Sequence, residues 1–523
     1  MIYGLYELGG VAIVTTFFVV LWIVISVIWI RLAGLHRASA WFGPFFLLTF
    51  ALCLQMRFDQ RPEVFSYFFL VVQLVILTRV NLDERPSFQT LAGLFVIEAV
   101  FANCHGYFAL GPMIGGALFV SVVLSPERKN IARYRSAGLI FLALGFGSLV
   151  SPFGINAWRL VFAYREVGIA MRDTNVEMFP TSRIYLNPPM ILFWINWVLI
   201  TLYASWSVVR KRYIFESIIA LAGAWLGFKM FRNIPLFLIF AAPLTRHLVA
   251  ALESGVLPKL RAIPNLVPNS AYALTAFVLS VFVVSGGYHR SMMSLTTFGF
   301  GVEPASYPIG ATRFLQSIDF KGRVFCDSYD GGYLEFMMPH LKIAGDSYFL
   351  DSEVTLRFFD AIKKPQILLE EHAKHRFDAL LINIENSDVL DVIRKSPEWV
   401  LADSDSHRTV YLRSNEFARF QRKPADGNHF VDRDLRHWMY AFSPVTWIQI
   451  ALKTGDVGLA EKLVSEYSGA DHLPSTFVRG AMIAGMIHQN RDLFERALKL
   501  RNQSYESEPG DFSAIDKMAS GVR

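Results

Sequence analysis

Apolar runs of roughly 15 to 20 residues recur along the chain as far as Gly287, and short polar segments separate them. A helix needs about 20 apolar residues to cross a bilayer core of about 30 Å. The runs therefore predict a polytopic α-helical membrane protein with about ten transmembrane helices. We place them at 11–30, 40–56, 64–78, 87–102, 108–125, 136–150, 190–209, 214–228, 234–250 and 271–287.

Lysine and arginine collect in alternate loops of this series, which predicts the orientation of the bundle. Cytoplasmic loops carry an excess of these residues. The N-terminus and everything after Gly287 are then expected on the external, periplasmic face of a bacterial inner membrane. The five basic loops contain Arg31/Arg37, Arg79/Arg85, Arg128/Lys129/Arg133/Arg135, Arg210/Lys211/Arg212 and Arg246/Lys259/Arg261.

After the transmembrane bundle (residues 1–287) the pattern changes to short apolar runs that alternate with helical stretches, which predicts an external α/β domain at 302–415. The expected strands are "GRVFCD", "HLKIAG", "DALLINI" and "RTVYLR", with a helix at Ser352–Lys374. The paired glycines of "YDGGYL" are interpreted as a strand turn. A helical tail at 430–523 resembles two weak tetratricopeptide-like repeats, a type of surface that binds a protein partner.

The composition supports a membrane location. Hydrophobic residues make up 53% of the chain and charged residues 18%, and the mean hydropathy is +0.36. The net charge of +6 lies mostly in short loops, which suits membrane orientation better than nucleic-acid binding. Cys53, Cys104 and Cys326 are too widely spaced to indicate zinc or a disulfide framework. We therefore expect membrane lipid as a partner and no nucleic acid.

The external loop "RFDQRPE" places two cations and two anions at membrane depth, namely Arg57, Asp59, Arg61 and Glu63. Charges there usually line a cavity or pair with one another. The arginines either pair with Asp59 and Glu63 or with lipid headgroups, or they bind a phosphate, whose oxygens match the planar guanidinium fork.

Three further external loops carry candidate site residues. His105 in "NCHGY" is a proton carrier, a phosphate ligand or a hydrogen-bonded structural group. Lys229, Arg232 and Asn233 occupy the turn "KMFRN", where the positive-inside bias disfavours cations, so an anionic ligand is a reason for their presence. Glu177 lies in the long loop that follows "SPFG".

Six segments in order resemble a bacterial family of polytopic proteins in the GT-C glycosyltransferase superfamily. They are "RPEVFSY", "NCHGY", "SPFG", "EMFPTS", "RNIPLF" and "YDGGYL", and the likeness covers roughly residues 1–415. The resemblance implies an inverting transferase that takes a sugar from a polyprenyl-phosphate carrier at the outer face. The family normally begins with a further helix and a first external loop that bears an Asp-containing motif; here "MIYGLYELGG" resembles the segment just after that loop.

Glycosyl transfer from a lipid phosphate needs a carboxylate base and cations that stabilise the departing phosphate. Asp59 and Glu177 are the candidates for the base, and the basic residues of the external loops are the candidates for the phosphate. Asp59 and Glu177 would also suit Mg²⁺ or Mn²⁺, but no ligand cluster with distinctive spacing predicts a metal site, and no cofactor is indicated. The alternatives are a non-catalytic scaffold whose external domain and tail bind a partner, and transport of lipid or solute.

Overall fold

The computed structural model divides the chain into two compact units, Met1–Ser285 and Gly286–Arg523. The predicted tail at 430–523 lies outside the described residues, apart from Glu495. The structure describes residues 2–38, 42–55, 57, 60–126, 130–159, 161–162, 176–184, 186–256, 266–286, 307–344, 352–383, 386–404, 408–419 and 495.

The described part of the first unit contains ten helices of at least 13 residues. Each overlaps one of the ten apolar segments predicted from the sequence. They are α1 (Ile2–Leu32), α2 (Gly43–Gln55), α3 (Glu63–Leu77), α4 (Phe88–Ala102), α5 (Leu110–Leu124), α6 (Ile131–Gly147), α7 (Pro188–Val209), α8 (Ile214–Lys229), α9 (Ile234–Val256) and α10 (Leu266–Val284).

Within the described residues, four apolar segments are long enough to cross a membrane by length and composition: Ile2–Leu32, Gly106–Leu124, Pro188–Val209 and Phe231–Gly255. The helices also expose large apolar side chains such as Ile23, Phe146 and Leu202. Such apolar helices support a membrane location. The count of ten crossings stays a prediction.

Four helices differ from their predicted bounds by five residues or more. α9 ends at Val256 rather than at residue 250, and α10 begins at Leu266 rather than at residue 271. α1 begins at Ile2 rather than at residue 11 and is kinked at Gly9 and Gly10, where Gly10 has a left-handed φ of 63°. α6 begins at Ile131 rather than at residue 136, because the Asn130 side chain caps it by accepting a hydrogen bond from the Ala132 amide. Hydropathy alone does not detect such polar or kinked first turns.

Close packing of α8 against α9 positions the loop between them. Gly223 and Gly227 lie four residues apart on α8 and face Phe237 of α9. A Cβ atom on Gly223 would lie 3.2 Å from the Phe237 Cα, and one on Gly227 would lie 3.1 Å from its Cβ. Small residues at this spacing allow two helices to approach closely in a membrane.

The second unit is built on a five-stranded mixed sheet of order β2-β1-β3-β5-β4. The pairs β1/β2 and β1/β3 are parallel, and β3/β5 and β4/β5 are antiparallel. The elements are α11 (Ile309–Ser317), β1 (Arg323–Phe325), α12 (Ser328–Met337), β2 (Lys342–Ala344), α13 (Ser352–Lys363), α14 (Pro365–His375), β3 (Ala379–Asn383), α15 (Ser387–Lys395), β4 (Trp399–Ser404), β5 (Arg408–Arg413) and α16 (Ser414–Arg419).

All four predicted strands are present in this sheet, but three details of the prediction were wrong. The helix expected at Ser352–Lys374 is two helices, because Pro365 cannot continue α13 and starts α14 instead. Strand β4 was missed. Gly331 and Gly332 lie inside α12 and do not form a strand turn.

A buried ion pair joins α12 to β5. The Arg408 Nη2 atom lies 2.9 Å from Asp330 Oδ1, and Arg408 Nε donates to both carboxylate oxygens. Asp330 is 1% exposed and Arg408 is 6% exposed, so neither charge has water as an alternative partner. Loss of either residue would leave the other charge buried without this partner, which is strongly destabilising.

Candidate functional site

Four polar segments of the first unit meet at one end of the bundle. Pro62 precedes α3 and places Glu63 in its first turn. The segment at residues 176–180 is held against the α8–α9 turn, because the Phe231 amide donates to the Phe179 carbonyl at 2.9 Å. His105 follows α4 and caps the short helical turn Gly106–Ala109.

Five charged side chains from these segments form a continuous series of ion pairs, which we call the Arg–Glu series. It runs Arg61, Glu177, Arg57, Glu63, Arg232. Glu177 Oε1 lies 2.7 Å from Arg61 Nη1 and 3.0 Å from Arg57 Nη1. Glu63 Oε1 lies 2.5 Å from Arg57 Nη2, and Glu63 Oε2 lies 3.2 Å from Arg232 Nη2. Three guanidiniums and two carboxylates give the series a net charge of +1.

Burial differs along the Arg–Glu series. Arg57 and Glu63 at its centre are 4% and 3% exposed. The two ends are more accessible, since Arg61 is 38% exposed and Arg232 is 21% exposed. The central pair therefore matches the interpretation that the arginines pair with loop carboxylates, whereas the ends remain accessible to a ligand.

His105 lies beside the series as a neutral imidazole. Its Nδ1 atom accepts a hydrogen bond from the Tyr107 amide at 3.3 Å and lies 3.0 Å from the Ser66 hydroxyl. Burial lowers the pKa of His105 to about 4. A neutral ring whose Nδ1 accepts carries its proton on Nε2, so His105 presents an N–H donor.

Two buried donors, one in the series and one beside it, have no hydrogen-bond partner among the described residues. They are Arg232 Nε and the Tyr67 hydroxyl. Tyr67 is close enough to Glu63, Arg57 and Arg232 to interact with their charges. Unpaired buried donors are uncommon in proteins and call for an acceptor. An anion with several acceptor oxygens would supply one.

No family model and no curated protein matches this chain significantly. The likeness to GT-C proteins therefore rests on the six quoted segments alone. The chemistry of the site has to be judged from its own geometry.

Glu177 is poorly suited to act as a base in this arrangement. Burial raises the pKa of its carboxyl, but the guanidiniums of Arg57 and Arg61 outweigh burial, and the net pKa lies below its usual value. A carboxylate whose pKa is lowered accepts protons weakly. The other predicted base, Asp59, lies outside the described residues.

The described residues include no group of three or more His, Cys, Asp and Glu side chains that would hold a metal ion. A metal shared by Asp59 and Glu177 stays a hypothesis.

The three predicted site residues at the end of α8 and in the turn after it have different contacts. Arg232 joins the Arg–Glu series, and Asn233 accepts a hydrogen bond from the Tyr107 hydroxyl at 3.0 Å. Lys229 lies outside the series: it is exposed, and its ammonium is 5.9 Å from the ring centroid of Trp225, one turn earlier on α8. Lys229 is the last residue of α8, whereas Arg232 lies in the short helical turn Phe231–Asn233.

Three residues of the site were not singled out from the sequence. Ser66, Tyr67 and Tyr107 position or complement the charged groups. They lie in the segments "RPEVFSY" and "NCHGY". The resemblance to the GT-C family therefore included these three residues without assigning them a role. Nothing in the hydrophobic pattern separates these hydroxyls from ordinary core residues.

A second buried polar contact lies inside the bundle, apart from the series. Gln73 Nε2 of α3 donates to Glu98 Oε2 of α4 at 2.6 Å. Gly111 of α5 makes room for this carboxylate, because a Cβ atom there would lie 2.0 Å from Oε2. The contact joins three helices, which accounts for an ionisable residue within a predicted span.

The lowered pKa of His105 predicts a dependence of stability on pH. The unfolded chain protonates near pH 6.5, whereas the folded ring resists protonation down to about pH 4. The stability associated with neutral His105 is therefore complete above pH 6.5 and is lost as the pH falls towards 4. His105→Asn, which keeps a capping acceptor, should reduce the loss of stability between pH 7 and pH 4.5 by about 2 to 3 kcal/mol.

The comparison is made by thermal unfolding of the full chain in detergent across that pH range. His36→Asn removes an exposed histidine from the short helical turn that follows α1 and serves as the matched control. Equal pH profiles for wild type and His105→Asn would contradict the assignment of a buried neutral ring.

Proposed function

We propose that the Arg–Glu series and His105 bind the phosphate of a polyprenyl-phosphate-linked sugar at the external face of the membrane, and that the protein is a GT-C-type glycosyltransferase. The observation that carries the binding proposal is the pair of unpartnered buried donors in and beside a cluster of net charge +1. A phosphate oxygen accepts several charge-assisted hydrogen bonds at once.

The accessible ends of the series favour a ligand over a purely structural network. Arg61 and Arg232 project from different segments, and the positive-inside bias disfavours both at the predicted external face. A shared anion explains their presence together. The neutral His105 Nε2–H adds a donor without adding charge.

The transferase part of the proposal rests on the six segments that resemble the GT-C family. It requires a carboxylate base, for which Asp59 is the better candidate because Glu177 is held between two guanidiniums. A phosphate bound by arginines and His105 would leave as a stabilised anion, which is the requirement for transfer from a lipid phosphate.

A non-catalytic scaffold is the second candidate. It is favoured by the pairing of both described carboxylates of the series, Glu63 and Glu177, with guanidiniums. Such a protein would bind the lipid phosphate without transferring the sugar. Binding and transfer therefore need separate assays.

Arg61→Gln and Arg232→Gln test the binding proposal, singly and together. Each charge-assisted hydrogen bond is worth about 1.5–3 kcal/mol, so each change should weaken binding of farnesyl phosphate by roughly ten- to a hundredfold. One shared ligand predicts that the double change is less than additive. Affinity is measured by isothermal titration of the full chain in detergent.

Lys229→Gln is the matched control, since it removes a cation from the same turn but outside the series. We expect its affinity to stay near that of wild type. If Arg61→Gln and Arg232→Gln lower thermal stability and leave affinity unchanged, the charges are structural. Transfer of a labelled sugar from a polyprenyl phosphate, with and without Asp59→Asn, distinguishes the enzyme from the scaffold.

A further inference from the structure

A second basic site lies at the opposite end of the bundle from the Arg–Glu series. α3 begins at Glu63 of the series and ends at Leu77, two residues before Arg79. α9 begins beside Asn233, and Arg246 lies about three turns further along it. At a rise of 1.5 Å per residue, the lengths of α3 and α9 between the two sites correspond to roughly 20 Å.

Four arginines from separate elements line one pocket of about 320 Å³ here, which we call the basic pocket. Arg31 ends α1, Arg37 belongs to the following short helical turn, Arg79 follows α3, and Arg246 lies on α9. Glu253 also lines the pocket. The four arginines and one glutamate give it a formal charge of +3 with His36 neutral.

None of the four guanidiniums makes a hydrogen bond or ion pair within the part of the chain that the structure describes. Like charges gathered in one concavity repel each other. The positive-inside rule requires cations at this face, but it does not require that cations from four elements share a pocket. Basic pockets between membrane helices on the cytoplasmic side commonly bind anionic headgroups.

Gly34 shapes this pocket. It has a left-handed φ of 70°, and a Cβ atom on it would lie 2.8 Å from Arg246 Cγ. Glycine is the residue that adopts this conformation without strain. The turn after α1 can thus lie against the Arg246 stem, which brings Arg37 and Arg246 to the same pocket.

We infer that the basic pocket binds a phosphate group, independently of the proposed function of the Arg–Glu series. Guanidinium forks match phosphate oxygens in geometry and charge. The phosphate belongs either to the headgroup of an anionic phospholipid or to a soluble phosphate compound. Both would be bound through hydrogen bonds between guanidinium groups and phosphate oxygens, whereas acyl chains are present in the phospholipid and absent from the soluble compound.

The test uses the full chain in a non-ionic detergent and two probes, short-chain phosphatidylglycerol and inorganic phosphate. Arg37→Gln and Arg79→Gln should each weaken binding roughly three- to tenfold, because these arginines are exposed and their charge-assisted bonds are partly screened. Ala250→Trp should also weaken it, because Ala250 lines the pocket and the indole fills it without changing the charge.

Arg135→Gln is the matched control, since it removes an exposed arginine from a predicted cytoplasmic loop outside the pocket. Binding of phosphatidylglycerol alone supports a headgroup site, and binding of both probes supports a site open to soluble phosphates. The inference is overturned if neither probe binds. It is also overturned if Arg135→Gln weakens binding as much as Arg37→Gln, or if Ala250→Trp has no effect.

Discussion

Glu63→Gln should destabilise the protein by about 3–5 kcal/mol, because a neutral amide replaces the carboxylate that Arg57 and Arg232 share at the buried centre of the series, and Glu177 is then the one carboxylate among three guanidiniums. Glu63 is 3% exposed and pairs with both Arg57 and Arg232. Melting of the full chain in detergent, followed by tryptophan fluorescence, measures the loss. Glu84→Gln removes an exposed carboxylate that accepts a hydrogen bond from the Asn81 side chain. It should change stability by less than about 0.5 kcal/mol.

The same substitution should strengthen phosphate binding while it weakens folding. Loss of the Glu63 carboxylate raises the net charge of the Arg–Glu series from +1 to +2. Farnesyl phosphate should then stabilise Glu63→Gln more than it stabilises wild type. A ligand at a hundred times its dissociation constant contributes about 2.7 kcal/mol. Equal stabilisation of both proteins would argue that the anion binds elsewhere.

A double-mutant cycle separates the ion pair from other effects of the substitution. Arg57→Gln removes the other central charge, and the two residues are in direct contact. The double change should cost less than the sum of the single changes, with a coupling of about 1–3 kcal/mol. Strict additivity would contradict the pairing.

Arg408→Gln should destabilise the α/β unit by about 3–5 kcal/mol, since it leaves the Asp330 carboxylate buried without its cation. Hydrogen exchange of the full chain, read at β1 and β5, reports the loss in that unit. Asp330→Asn combined with Arg408→Gln should recover part of it, because the buried carboxylate that faced Arg408 is then replaced by a neutral amide.

The control for this pair is Arg413→Gln. Arg413 lies on the same strand and pairs with Asp378 at 3.6 Å, and both side chains are about a quarter exposed. An accessible pair of this kind is worth at most about 1 kcal/mol. If both arginine substitutions changed exchange to the same extent, burial would not account for the effect of Arg408.

The ten long helices of the first unit were predictable because each is an apolar run. Four of the five strands were predictable because each is a short apolar run bounded by polar residues. Strand β4 was missed since "EWVLADS" contains a bulge between Leu401 and Asp403 that breaks the alternation. Pro365 is present in the sequence, but the segments on both sides of it have an amphipathic helical pattern, so we predicted one continuous helix there.

The charged groups of the site were predictable, and their partners were not. Arg57 and Arg61 stand four residues apart, but both contact Glu177, more than a hundred residues away. Such pairing depends on how four loops pack. Lys229 and Arg232 share one loop in the sequence, but Lys229 ends α8 and lies over Trp225, whereas Arg232 lies in the following short helical turn and pairs with Glu63.

Positive and negative side chains alternate along the five residues of the Arg–Glu series, and this limits how related sequences can diverge. Loss of one central residue leaves two like charges adjacent. Two substitutions must therefore occur together if stability is to be preserved. Exchange of Arg57 for an uncharged residue becomes tolerable only when a carboxylate on one side of it is lost as well. Substitutions at positions 57, 63 and 177 should therefore covary among homologues, whereas the terminal positions 61 and 232 should vary with the ligand.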